Sequence, residues 1–124
     1  MSAERLFFIL GALSAFVGVA LGAFAAHGLK SRLGADLLAA FDVGVRYQVL
    51  HALGLLAVAW AHTRWPGGFI VASGWLFVAG TLLFSGSLYL LALSGARGLG
   101  PVTPFGGLAF LAGWLCLAWG AWKG

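Results

Sequence analysis

The side chains able to bond, titrate or ligate fall in a few short stretches. His27 closes the first apolar run, Tyr47, Gln48 and His51 come together in YQVLH, Ser85 and Ser87 flank a glycine just ahead of Tyr89, and Thr103 precedes Pro104. On a helix Gln48 and His51 are three apart and Tyr47 and His51 four apart, so the three share one face. An imidazole accepts, donates or titrates near neutral pH, which makes His51 the natural centre of any binding or proton chemistry. His27 and His51 are also the one pair that could serve as axial haem ligands. Catalysis is short of parts: the only carboxylates, Glu4, Asp36 and Asp42, stand outside the apolar runs. No catalytic residue, metal site or cofactor is expected. The plainer reading of the same residues is structural. A helical serine can bond back to a carbonyl one turn earlier, and polar side chains in lipid commonly serve as interhelical glue.

What must position these groups is a set of membrane-spanning helices. Four uncharged runs, Leu6 to Ala26, Tyr47 to Thr63, Trp65 to Ala96 and Gly98 to Trp122, are broken only by short charged stretches. A hydrocarbon core of roughly 30 Å takes about 20 apolar helical residues to cross. With 62% hydrophobic and 8% charged residues, the chain cannot be a soluble globular domain, for which about 25% charged is ordinary. The fold class expected is an all-α membrane protein: one integral domain over 1–124, with spans near 5–27, 44–63, 69–94 and 104–122 packed as a four-helix bundle. Arg5 followed by apolar residues and Ala23-Phe24-Ala25 has the outline of a signal peptide, but the run continues to Ala26 and is long enough to span.

Gly28 to Arg46 is the one charge-dense stretch. Leu33, Leu37, Phe41 and Val45 recur every four residues while Arg32, Asp36, Asp42 and Arg46 take other positions, which predicts an amphipathic interfacial helix over about 31–43. Arg32 with Asp36, and Asp42 with Arg46, have the spacing of i,i+4 ion pairs. Small residues run along the spans: Gly18 and Gly22 in the first; Ser73, Gly80, Ser87 and Ser94 with Ala72, Ala79 and Gly86 in the third; Gly106, Gly113 and Gly120 in the fourth. In lipid such faces let backbones approach closely, so these glycines are expected at helix contacts. Thr103 and Pro104 have the types preferred at an N-cap and first helical position. Cys116, the only cysteine, can form no intrachain disulfide.

Gly22-Ala23-Phe24-Ala25-Ala26-His27-Gly28-Leu29, Tyr47-Gln48-Val49-Leu50-His51-Ala52-Leu53, Phe84-Ser85-Gly86-Ser87-Leu88-Tyr89 and Thr103-Pro104-Phe105-Gly106-Gly107 together resemble, in order and over nearly the whole chain, one family. It is the domain of unknown function 423 family of small bacterial inner-membrane proteins, related to the eukaryotic transmembrane protein 256. Ala25 stands where glycine is expected. The resemblance implies a multi-pass inner-membrane protein and supplies no activity, substrate or cofactor.

Counting crossings, His27, Tyr47, Gln48, His51, Ser85, Ser87, Tyr89 and Thr103 lie toward one membrane face, where they are expected to form one polar cluster. The function expected is that of a non-catalytic accessory or scaffold protein, with binding or permeation of a small molecule, ion or proton through the cluster as the alternative. A haem protein or enzyme is the third class. The partners expected are the lipid bilayer and a second copy or another membrane protein. Nucleic acid is not among them, because the seven Lys and Arg residues are scattered singly.

Overall fold

The computed structural model describes residues 1–124, all of them in helices or short connections. Helix α1 (Ala3–Phe24) starts at Ser2, whose hydroxyl caps the Arg5 N–H at 3.3 Å, and continues through a π-helical turn, Ala25–Leu29. Helix α2 runs unbroken over Ala35–Arg64. The third span consists of α3 (Gly68–Gly80), a second π-helical turn (Thr81–Ser85) and α4 (Gly86–Ser94). It ends on Gly95, whose φ of 71° is the left-handed conformation that glycine takes without strain. A 3-10 segment, Arg97–Val102, leads into α5 (Thr103–Lys123).

Four helices are thus long and apolar enough to cross a membrane. Short connections force them antiparallel, and contacts across the bundle confirm it. His62 Nδ1 donates to Glu4 Oε2 at 2.7 Å, joining the end of α2 to the start of α1. The Lys123 ammonium lies 5.8 Å from the centre of the Phe69 ring at the same end, with Trp60 and Trp65 packed edge to face at 5.5 Å as an aromatic belt. Both termini therefore lie at one end. At the other, Arg97 reaches Asp36 at 3.6 Å between two exposed side chains.

The bundle is two hairpins laid together: α1 packs along α2, the third span along α5, and α2 joins the pairs. Its interior has three layers. Nearer the termini, Phe7, Leu55, Val58, Ile70, Phe77 and Phe110 form the larger apolar cluster. At the opposite end Ala25, Leu29, Phe41 and Ala92 form a smaller one. Gln48 and His51, about two to three turns along α2 from Phe41, and Ser85 on the third span are buried between them.

Several expectations change. The amphipathic stripe Leu33, Leu37, Phe41 and Val45 does face inward, but from Ala35 it belongs to the same helix as span two, and residues 30–34 are the connection. Arg32 therefore precedes the helix and cannot pair with Asp36 across one turn; Asp36 faces Arg97 instead, and Asp42 and Arg46 form no ion pair. Thr103 is already helical, with φ −55° and ψ −45°, so it caps nothing; the 3-10 segment supplies the turn before α5. The heptad drawn through the third span holds to Ser87 and fails at Ser94. The Ile70 and Phe77 face is continued one place late by Ser85, the last residue of the π turn, and Ala92, whereas Ser73, Gly80 and Ser87 stay buried in the heptad and Ser94 is exposed. A π turn is an α-helix with one residue inserted, so the Ile70–Phe77 row moves one place along the sequence on crossing it.

Candidate functional site

The polar residues divide among separate attachments, most of them fixing α2 to a neighbour. Gln48, 6% exposed, donates from Nε2 to the Ser14 carbonyl of α1 at 3.0 Å and accepts the Tyr89 hydroxyl on Oε1 at 2.6 Å. One carboxamide so ties α1, α2 and α4. Ser85 donates to the Gly44 carbonyl at 2.7 Å rather than to its own helix. The same Gly44, having no side chain, admits the Tyr89 ring: a Cβ there would stand 2.8 Å from it.

His51, 2% exposed, makes the second attachment. The Trp114 indole N–H reaches its Nε2 at 3.0 Å, and its Nδ1 lies 2.8 Å from the Tyr47 carbonyl. An indole can only donate and a carbonyl only accept, so the imidazole holds its proton on Nδ1 and both nitrogens are engaged. The ring lies flat on Phe110, with centroids 3.6 Å apart and 9° between planes, and edge-on to Phe77 at 5.2 Å. Further toward the loop end, Ser87 bonds the Phe84 carbonyl at 2.9 Å and the Thr103 hydroxyl at 2.6 Å, fastening α4 to the start of α5. No buried side-chain nitrogen or oxygen lacks a partner.

The expected single cluster is therefore a ladder. Gln48, Tyr89 and Ser85 share a level of α2 and α4, His51 faces α5, and Ser87 with Thr103 closes the loop end. Tyr47 contributes its carbonyl while its ring, 38% exposed, lies against Phe84. His27 stands apart, exposed on the first π turn, without a hydrogen bond and sharing no partner with His51, so the two histidines do not form a ligand pair. Three participants escaped the sequence reading: the Ser14 and Gly44 carbonyls and Trp114. The Ser14 carbonyl carries no sequence signal at all. Trp114 did carry one: it sits mid-span rather than in an interfacial belt, where an indole N–H has to find a partner. His62, near the end of α2, is half-buried and held by Glu4.

The glycines show how closely the helices pass. A Cβ at Gly18 would stand 2.7 Å from Val49, at Gly113 2.6 Å from Phe77, at Gly120 2.6 Å from Ile70 and at Gly22 3.3 Å from Val45. At Gly106 it would strike the Phe84 backbone and at Gly80 the Phe110 ring. Gly86 is different, for nothing lies within 4 Å of the position its Cβ would take. Gly11 and Gly74 belong with the packed set, against Ala52 and Phe7.

Such a fold, four apolar helices joined by short turns and bonded internally by neutral polar groups, defines a small multi-pass membrane protein. The chain belongs to the family described as protein of unknown function DUF423, whose family model matches residues 21–107. It is 43% identical to the UPF0382 membrane protein YwdK of Bacillus subtilis over 120 residues, 96% of this chain and 98% of that one. With a UPF0382 membrane protein of Haemophilus influenzae identity is 48% over 116 residues, covering 92% and 91%. With the UPF0382 inner membrane protein YgdD of Escherichia coli it is 44% over 118 residues, covering 95% and 90%. No solved structure matches the chain. The protein is accordingly a multi-pass protein of the bacterial inner membrane.

Proposed function

We propose that this protein acts as a non-catalytic accessory of the membrane, a rigid bundle that presents its helix faces and loop end to another membrane protein or a second copy of itself. The observation that supports this is the engagement of both His51 nitrogens, one by Tyr47 and one by Trp114. The group best suited to acid/base or ligand chemistry acts instead as a cross-brace. The Ser85 and Ser87 hydroxyls are spent in the same way on interhelical bonds, and Gln48 bonds α1 through one of its two N–H groups. The carboxylates supply no second acid or base at that depth, since Glu4 sits on the first turn of α1 and Asp36 and Asp42 at the opposite end.

The test separates fold from chemistry. In a strain lacking the gene, the membrane complexes resolved by native electrophoresis and quantified by mass spectrometry should show a specific loss that the wild-type gene restores. His51→Gln and His51→Asn, accumulated to wild-type levels in folded form, should restore it as well. A folded His51→Gln protein that fails to do so would make the imidazole a working group and overturn the proposal.

A further inference from the structure

A groove lies between α1 and the third span, which touch less closely than either touches its own hairpin partner. Its volume is about 420 Å³ and its walls are mainly apolar, with Leu13 and Val17 from α1 and Val78 from α3. It runs alongside residues 10–21 of α1, roughly 17 Å at 1.5 Å per residue, and so lies within the hydrocarbon layer and clear of both loop ends. Exposed Leu13 and Leu82 stand on its two rims, so it opens sideways into lipid.

Four polar residues line it and decide what it suits, and of these Ser14 gives its carbonyl to Gln48. Tyr89 has given its proton to Gln48, and Thr81 has turned its hydroxyl back to the Phe77 carbonyl at 2.9 Å. Gln48 differs. A carboxamide has two N–H donors, and only one of them is used, on the Ser14 carbonyl. The other belongs to a side chain more than nine-tenths buried that lines the groove, and no protein acceptor takes it. In hydrocarbon an unmatched donor is costly, and a plain alkyl tail leaves it unmatched. Ligand sites of this size, about 300–1,000 Å³, characteristically pair apolar walls with a few placed polar groups. Gly86 adds room at the same place, being one of the lining residues and having open space where a side chain would project.

We propose that this groove binds an elongated lipid-soluble molecule carrying a carbonyl oxygen, such as an alkylated quinone or a long-chain ketone. The alkyl portion lies along Leu13, Val17 and Val78, and the oxygen accepts the free Gln48 N–H. This goes beyond the accessory role and is independent of it, since it uses neither His51 nor any loop.

The chain holds a single glutamine and no asparagine, so the Gln48 carboxamide gives the only side-chain amide signal in the protein. The whole protein, labelled with nitrogen-15 glutamine in lipid nanodiscs, is titrated with a short-chain alkylated benzoquinone and separately with the alkylbenzene of the same chain length. The quinone should move the Gln48 amide resonance to saturation while the alkylbenzene leaves it in place. Gly86→Leu, whose side chain enters the groove without meeting backbone, should weaken the quinone response by about tenfold, equivalent to about 1.4 kcal/mol of binding. A response that does not saturate, or one equal for both compounds, would overturn the proposal. The second result would make the groove a slot for lipid tails, and the comparison stands on the wild-type protein even where a variant fails to fold.

Discussion

Trp114 braces His51 from a position that is itself half open to lipid: the indole is 40% exposed, yet its N–H ends on an imidazole that is 2% exposed, at 3.0 Å. The bond runs inward from the edge of α5 to the middle of α2. It is a main directed link between helices that otherwise meet mostly through aromatic rings.

This link should be measurable as a coupling. Interhelical hydrogen bonds in membranes average about 0.6 kcal/mol and reach about 1.7 kcal/mol, because the unfolded chain in lipid also finds partners. A double-mutant cycle of His51→Leu and Trp114→Phe, read from denaturant unfolding in mixed micelles, should return a coupling in that range. Additive single-variant effects would show that the pair does not act together. Each single change should cost more than the coupling, since the orphaned partner is left in an apolar site.

Glycine substitutions should sort by what surrounds each position. Gly113→Leu and Gly106→Leu push Phe77 and the Phe84 backbone away, and overpacking of this kind costs about 1–3 kcal/mol or more. Gly86→Leu meets nothing within 4 Å and should unfold in detergent at close to the wild-type temperature. Equal losses at all three positions would contradict the packing described.

The π turn at Thr81–Ser85 makes deletions position-dependent. Removing Leu83, exposed on that turn, takes out the extra residue and leaves the helices on either side in phase. Removing Val78 from regular helix rotates everything beyond it by about 100° and carries Tyr89 away from Gln48. The Leu83 deletion should yield far more monodisperse protein on size-exclusion chromatography than the Val78 deletion. The opposite ranking would mean that the turn is not an insertion.

Reporter fusions at residues 1 and 124 should report the same side of the membrane, because Glu4, His62, Phe69 and Lys123 meet at one end of the bundle. Opposite sides would remove one crossing.

The sequence carried the number of helices and most of their contact glycines, because length, hydropathy and small-residue spacing record the bilayer directly. It misled where charge was taken as a boundary. Asp36, Asp42 and Arg46 suggested a helix lying on the surface, yet between Ala35 and Tyr47 no proline interrupts the hydrogen-bonding pattern, and Gly44 is kept within the helix by close packing on Tyr89. Extrapolating a heptad as far as Ser94 failed for a different reason, since periodicity alone does not reveal an inserted residue. The polar site was half legible. Gln48 and His51 announced themselves as polar groups in an apolar run, but the Ser14 and Gly44 carbonyls that receive Gln48 and Ser85 are backbone atoms, which any residue type would supply.

The 30 residues of α2 give the molecule a built-in gauge of bilayer thickness. At 1.5 Å per residue the helix is about 45 Å long, half again the roughly 30 Å of hydrocarbon it crosses. A thinner bilayer leaves more of its Asp36 to Arg46 end standing in the head-group region, and a thicker one draws the helix upright. Because Gln48 and His51 are fixed to three neighbouring elements, that adjustment cannot be made by α2 alone. The bundle has to lean as one body, and a change in lipid composition reaches the Asp36–Arg97 end as a change in height above the membrane.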